Sequence, residues 1–374
     1  MAQNSINRIG HFPDPFIWVI PLILNGMGVL MISSTTSYRS LATYGNPYLL
    51  GFRQVQFFFI GLFCMVVTYI IPIRIIKRLT GSLWLLALLL TWLTLVPGLN
   101  RAAGGASRWV QFGPLSFQPF ELLLLTTVAH LTNRLTVEPL SRRRAFLRMS
   151  LLLFVAVLPL LFQPDLGGSI LLVFLCMGIY VGAYGWFYPI FGGSLMSLLG
   201  AFLISIEGYR MRRIWAFLDP WKDPRDSGFQ VIQGLVAFAN GGFWGVGLGK
   251  GLQKLHYLPA SHTDFIFAVL AEELGYPGTM LVLGLYAAWA YRIMKLTMIH
   301  EKGFAALFTW ALGLSVLLPM MINIGGVTKL LPLTGMPLPF LSYGGSSLIS
   351  MWLRIGLLLR LSKETKEVNV AEAH

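Results

Sequence analysis

Charge is scarce in this chain. Only 11% of its 374 residues are Asp, Glu, Lys or Arg, against roughly 25% in a soluble domain. Acids are the scarcer sign, 15 against 28 basic residues, so each acid in an apolar stretch stands out. There are two cysteines, Cys64 and Cys176, both inside apolar runs, which excludes a disulfide framework. No glycine-rich stretch ends in Gly-Lys-Ser/Thr, which excludes a nucleotide P-loop. No Cys/His group has zinc spacing, and no nucleophile elbow or Ser/His/Asp order is present. What abounds is apolar: 56% of residues are hydrophobic and the mean hydropathy is +0.69. The fold class that follows is all-α, a polytopic membrane protein.

Stretches of about 20 apolar residues mark spans. Ten are expected, at 16–34, 54–73, 82–98, 118–135, 148–163, 166–184, 186–206, 264–291, 304–325 and 343–361. The first reads as a retained span, since no small-residue cleavage site follows Arg8. A single integral membrane domain, 1–374, would then carry one large extracytoplasmic loop at 207–263 and a cytoplasmic tail at 362–374. Basic residues follow spans two, four, eight and ten, among them Arg74, Arg142, Arg292 and Arg360. They fall on one side if both termini are cytoplasmic, as the positive-inside rule demands. That rule also explains the charge of +13 without nucleic acid.

The exceptions carry more information. Arg101, Arg108, Arg210, Arg212, Arg213, Lys222, Arg225, Lys250, Lys254 and Lys329 fall on the outer side. Solvated loops are the bland explanation; an anionic ligand such as a phosphate, which suits arginine geometry, is the sharper one. Acids gather at the same face. Phe-Gln-Pro followed by an acid occurs at 117–121 and 162–165, placing Glu121 and Asp165 at the outer ends of spans four and six. Proline and an acid both suit a helix's first turn, so two well-capped helices are the plain alternative.

Asp264 opens span eight, with Thr263 or Ser261 available to cap it. The helix dipole would keep it ionised; to act as a general base it needs desolvation or a neighbouring acid. Glu272 and Glu273 lie deeper in the same span, where adjacent carboxylates are costly. They either pair with buried cations or line a polar cavity. Gly275, Pro277 and Gly278 predict a kink just beyond them. The segment 241–250 is glycine-rich, suited to tight packing or close approach to a ligand. Residues 337–347 make a rigid, hydroxyl-bearing turn into span ten, headed by Ser342 and Tyr343. These features fit a transferase for a lipid-linked phosphate or an anion transporter, and spacing alone does not choose.

The run Tyr257-Leu-Pro-Ala-Ser-His-Thr-Asp264-Phe-Ile-Phe-Ala-Val-Leu-Ala-Glu-Glu-Leu-Gly275 resembles the SEDS family of bacterial shape, elongation, division and sporulation proteins. So does Pro337-Leu-Pro-Phe-Leu-Ser-Tyr-Gly-Gly-Ser346. Gly208-Tyr209-Arg210, Asp219-Pro220-Trp221 and Gly245–Gly249 resemble its FtsW branch more than its RodA branch. The resemblance implies a peptidoglycan glycosyltransferase that polymerises lipid II at the outer face of the bacterial cytoplasmic membrane. Asp264 matches the presumed catalytic residue. Substrate-binding roles are implied for Arg108, Trp109, Gln118, Glu121, Asp165, Arg210, Arg213, Lys254, His262, Ser342 and Tyr343. Implied partners are lipid II and polyprenyl-linked glycan, a class B penicillin-binding protein and other divisome or elongasome membrane proteins. No cofactor is required by the reaction; a divalent cation is left open. Lipid II flipping is the rival function. Two positions depart from the family pattern: Phe120, and Leu333-Thr334-Gly335 in place of Thr-Lys-Gly, for which Lys329 is the nearest substitute cation.

Overall fold

The computed structural model describes residues 13–98, 100–103, 106–112, 115–137, 140–194, 208–226, 228–301 and 303–371. Six long helices open it: α1 (Phe16–Tyr44), α2 (Leu49–Ile70), α3 (Ile73–Leu93), α4 (Pro119–Thr136), α5 (Arg142–Phe162) and α6 (Leu166–Tyr184). Two shorter ones, α7 (Gly208–Leu218) and α8 (Phe229–Gly241), precede three long ones: α9 (Ile266–Ile299), α10 (Phe304–Val327) and α11 (Gly345–Ala371). Residues 187–194 are helical at the start of the seventh expected span; most of the rest of that span lies outside the described residues. Among the described residues six helices are apolar enough to cross a bilayer by composition, and α3, α4 and α11 pack among them despite their charges. The chain is a multi-pass membrane protein.

Several boundaries differ from the hydropathy reading, for local reasons. Helix α3 starts at Ile73, directly after the extended Pro72, so Arg74, Lys77 and Arg78 sit in its first turns rather than in a loop. Long basic side chains reach back to the interface from such positions. Helix α5 starts at Arg142 because Ser141 caps it, accepting from the Arg144 amide. Helix α2 starts at Leu49, which puts Arg53 on a helix. The expected outer loop after α3 instead forms a small antiparallel sheet of Asn100–Ala103, Ala106–Phe112 and Leu115–Phe117. Helices α7 and α8 occupy much of the 207–263 segment, and α11 continues through the range expected as a tail.

Close helix packing replaces a polar core. Helix α11 lies along α2, and a methyl group on Gly356 would overlap Thr68 Oγ1 and the Met65 carbonyl oxygen. Gly61 returns the contact against Trp352. Small residues let membrane helices approach where no hydrophobic drive exists between them. Gly356→Ala is therefore expected to separate α2 from α11 and cost about 1–3 kcal/mol, read as a lowered Tm in detergent. Between α4 and α11 the bundle holds one ion pair, Arg354 Nη2 to Glu121 Oε2 at 3.4 Å.

Candidate active site

Asp264 sits in a sharp turn just ahead of α9. The turn is closed by the Thr263 and Phe265 amides, which both donate to the Ala260 carbonyl. Neither expected cap acts as one. The Thr263 hydroxyl donates to Ala260 O at 3.2 Å, and Phe265 takes the N-cap position without a side-chain bond. The turn is held from outside instead. Asn323 of α10 donates to Asp264 O at 2.8 Å and to Met336 O at 2.6 Å. Ser342 Oγ accepts from the Leu338 amide at 2.7 Å and donates to Thr263 O at 2.6 Å. The Tyr343 amide donates to His262 O at 2.9 Å. Residues 336–343 thus run as a strut beside 262–264. Ser342 is buried within it, its hydroxyl used in holding the strut.

The Asp264 side chain is partly buried and lines a small cavity of about 10 Å³ with Asn323, Val327, Leu333, Thr334 and Gly335. That is room for about one water. A larger cavity, about 360 Å³, shares Gly326 and Leu333 with it. Among the described residues its walls carry Arg212 of α7, Arg225, Gln230 of α8 and Lys329, with Asp226 as the sole carboxylate. Arg212 and Asp226 stand 3.9 Å apart at an exposed position, a weak pairing. Lys329 holds φ +58°, a left-handed conformation that non-glycine residues rarely adopt. Three cations therefore line a cavity that shares two wall residues with the Asp264 cavity. Arg212, Arg225 and Lys329 were among the outer-face exceptions in the sequence, but no spacing brings them together. Arg210 and Arg213 also lie on α7; their side chains fall outside those described.

Asp165 approaches from the other side of the 333–336 segment. A methyl group on Gly167 would lie 3.0 Å from Thr334 O, and one on Gly335 would lie 3.4 Å from Asp264 Oδ2. Asp165 is the cap of α6, accepting from the Gly168 amide at 3.2 Å, and also meets Arg108 Nη2 at 3.5 Å. This acid both caps a helix and meets an arginine of the strand Ala106–Phe112. Trp109 follows on the same strand, half-buried. Gln118 contributes its amide to Ser346 Oγ at 3.1 Å. Glu121 is buried and pairs with the buried Arg354.

Lys254 is likewise committed. Its Nζ lies 2.7 Å from Glu273 Oε1 and 2.7 Å from Ser34 Oγ, with only 8% of its side chain exposed. The kink explains the arrangement. Gly275 has φ +64° inside α9 and Pro277 lacks an amide, so the Glu272 and Glu273 carbonyls lose their helical donors. The Val246 and Gly247 amides replace them at 2.9 and 3.0 Å. The Glu272 carboxylate accepts from Leu252 and Gln253 amides and from Asn240 Nδ2, and Glu273 accepts from the Gly249 amide at 2.9 Å. The glycines supply close approach, since a methyl on Gly241 or Gly245 would overlap the Ala271 or Glu273 carbonyl. Both glutamates thus pin the glycine-rich loop against α9. Of the two expectations for them, Glu273 follows pairing with a cation.

Sequence reasoning passed over Arg39 and Arg53. Arg39 Nη1 lies 3.5 Å from His262 Nε2, and Arg53 lies over the Tyr44 ring at 5.4 Å and beside Tyr343. Burial first, then Arg39, pushes His262 down to about 4, so it is neutral at pH 7. Burial raises the Tyr343 hydroxyl, opposed by Arg53. Both arginines fall between the expected spans at 16–34 and 54–73, on the side where the positive-inside rule asks for no cations, and the structure places them on α1 and α2. Among the described residues no three His, Cys, Asp or Glu side chains cluster to hold a metal ion.

Residues 15–367 match a family described as cell cycle proteins, FtsW/RodA/SpoVE. A probable peptidoglycan glycosyltransferase FtsW of Coxiella burnetii is 35% identical over 361 residues, covering 94% of this chain and 97% of the relative. Among solved structures, a chain of a peptidoglycan synthase complex that coordinates polymerization and crosslinking superposes with a TM-score of 0.79 at 29% identity. That likeness covers 94% of this chain and 98% of the other. The rod shape determining protein RodA of Thermus thermophilus superposes at 0.71 with 26% identity, covering 94% of this chain and 97% of the other.

Proposed function

The chain belongs to the FtsW/RodA/SpoVE family of cell cycle proteins, and on that premise we propose that it is a peptidoglycan glycosyltransferase polymerising lipid II. The site faces the outside of the cytoplasmic membrane, with both termini inside; the split of basic residues between the two loop faces supports this. The FtsW relative, 35% identical, favours the division branch over the elongation branch. The observation that carries the reading is the partly buried Asp264 carboxylate sharing a wall with a cation-lined cavity.

The chemistry follows from that pairing. Asp264 accepts the proton of the acceptor sugar's 4-hydroxyl. The oxygen attacks the donor's anomeric carbon from the face opposite the diphosphate. The carbon–oxygen bond to the diphosphate breaks and polyprenyl diphosphate departs, with inversion. Arg212, Arg225 and Lys329 meet the charge that develops on the leaving oxygen. The 336–343 strut and Asn323 fix the base by holding the backbone of its turn. A flippase would instead need a polar path through the bilayer, and the two acids available for one, Glu272 and Glu273, are bound to the glycine-rich loop and Lys254. The partner is a class B penicillin-binding protein; the synthase-complex likeness supports such an assembly.

The test is purified protein, with and without its cognate transpeptidase, incubated with lipid II and scored for glycan chains. Polymer is the expected product, and its absence with the transpeptidase present overturns the reading. Arg225→Gln and Lys329→Gln are each expected to slow polymerisation about 10- to 100-fold, the worth of a charge-assisted hydrogen bond. Retention of the wild-type rate by both would remove the cavity from the mechanism.

A further inference from the structure

The proposed reaction joins two lipid-linked diphosphates. One loses its diphosphate and the other keeps it, so two such groups must sit at the site together. The Arg212–Arg225–Lys329 cavity opens on the Gly326–Leu333 side of the Asp264 turn and accounts for one of them. A second group of cations stands on the His262 side. We propose that Arg39 and Arg53, at the outer ends of α1 and α2, form a second lipid-phosphate subsite, which holds the diphosphate the acceptor retains. This inference rests on the glycosyltransferase reading.

The cluster is placed by the fold. Gln54 of α2 is fully buried; its Oε1 accepts from the Gly344 amide at 3.3 Å and its Nε2 donates to Ser342 O at 3.4 Å. That keys α2 to the turn after Ser342 and sets neighbouring Arg53 beside Tyr343. Tyr343 in turn donates its amide to His262 O, two residues from Asp264. Arg39 reaches the same imidazole from α1. Among the described residues neither arginine has a carboxylate within ion-pair distance. Both guanidiniums are exposed, and both meet only neutral groups: an uncharged imidazole, a phenol and an aromatic face. Positive charge held in place by neutral partners favours an anion.

Below the arginines, the same two helices expose an apolar face. Phe59 and Phe63 of α2 are each at least 60% exposed, and so is Leu30 of α1. Phe59 and Phe63, four residues apart, share one helical face. An amphiphile with a phosphate head and a polyprenyl tail matches that order of charge, then apolar surface. A membrane phospholipid shares the chemistry, so the test separates the two sources.

The experiment counts ligands. Native mass spectrometry of the full chain in detergent is run with a polyprenyl diphosphate, with and without excess phosphatidylglycerol. Wild type is expected to hold two copies in the presence of phosphatidylglycerol. Arg39→Gln/Arg53→Gln is expected to hold one, and Arg212→Gln/Arg225→Gln the other. In polymerisation, Arg39→Gln/Arg53→Gln raises the KM for lipid II about tenfold or more, with kcat little changed. Two copies in the Arg39→Gln/Arg53→Gln variant, one copy in wild type, or loss of the second copy to phosphatidylglycerol each overturns the subsite. Wild type that binds two copies yet makes no glycan with its transpeptidase leaves the subsite standing and removes the polymerase reading.

Discussion

Asp264→Asn stops glycan formation while leaving the protein folded. Asparagine is nearly isosteric, and the backbone carbonyls of the turn are held by other residues. Asn323 bonds the residue's carbonyl, Ser342 bonds the Thr263 carbonyl, and Tyr343 bonds the His262 carbonyl. What is lost is the lone pair that takes the acceptor's proton. General-base catalysis contributes about 10²–10⁴ in rate, and kcat should fall by that factor. Lipid II binding should persist, because the cations that hold the diphosphates are untouched. Asp264→Glu is a second check: the added methylene takes the space the cavity leaves for a water and moves the carboxylate from its place. Its rate should fall too, by geometry rather than by loss of basicity. Wild-type glycan from Asp264→Asn would keep the enzyme and discard this residue as its base.

Lys254→Met unfolds the glycine-rich loop locally and lowers global stability. The lysine ammonium is the cationic partner of Glu273, whose side chain is fully buried. Removing one member of a buried pair leaves the other's charge uncompensated, at a cost of about 3–5 kcal/mol. The loop leads straight into the Asp264 turn through residues 250–263, so activity should fall with stability. The double variant Lys254→Met/Glu273→Gln removes both charges and should recover most of the lost Tm. A substrate-binding lysine predicts the reverse: stable single variant, raised KM, and no rescue by Glu273→Gln. Thermal unfolding of the three variants beside wild type distinguishes the two.

That contrast shows where sequence reading stops. Glu273 and Lys254 are 19 positions apart, and nothing local says that they meet. Ser342 and Glu121 stand in suggestive motifs, yet one braces a turn and the other pairs with Arg354 inside the bundle. Motif position reports that a residue matters. It does not say whether it matters to the ligand or to the scaffold, because both uses need the same polar atoms. Arg39 and Arg53 fail in the opposite sense. They belong to no acid-bearing motif, and only the folding of the 336–343 strut against α2 brings them near Asp264. Hydropathy missed the start of α3 because Arg74, Lys77 and Arg78 lower the local average without breaking the helix.

The sequence by itself determined that this is a mainly helical, multi-pass protein, that a kink follows Glu273, and that Asp264 sits at the end of a span. Those features depend on composition and on near neighbours: apolar run length, proline and glycine chemistry, and the order of residues along one helix. Only the tertiary structure decided which cations line the cavity next to that of Asp264. Arg212, Arg225 and Lys329 come from three separate segments, and the cavity between them is a product of helix packing. Their meeting is a long-range property, set by how whole helices fit together, and no window along the chain contains it.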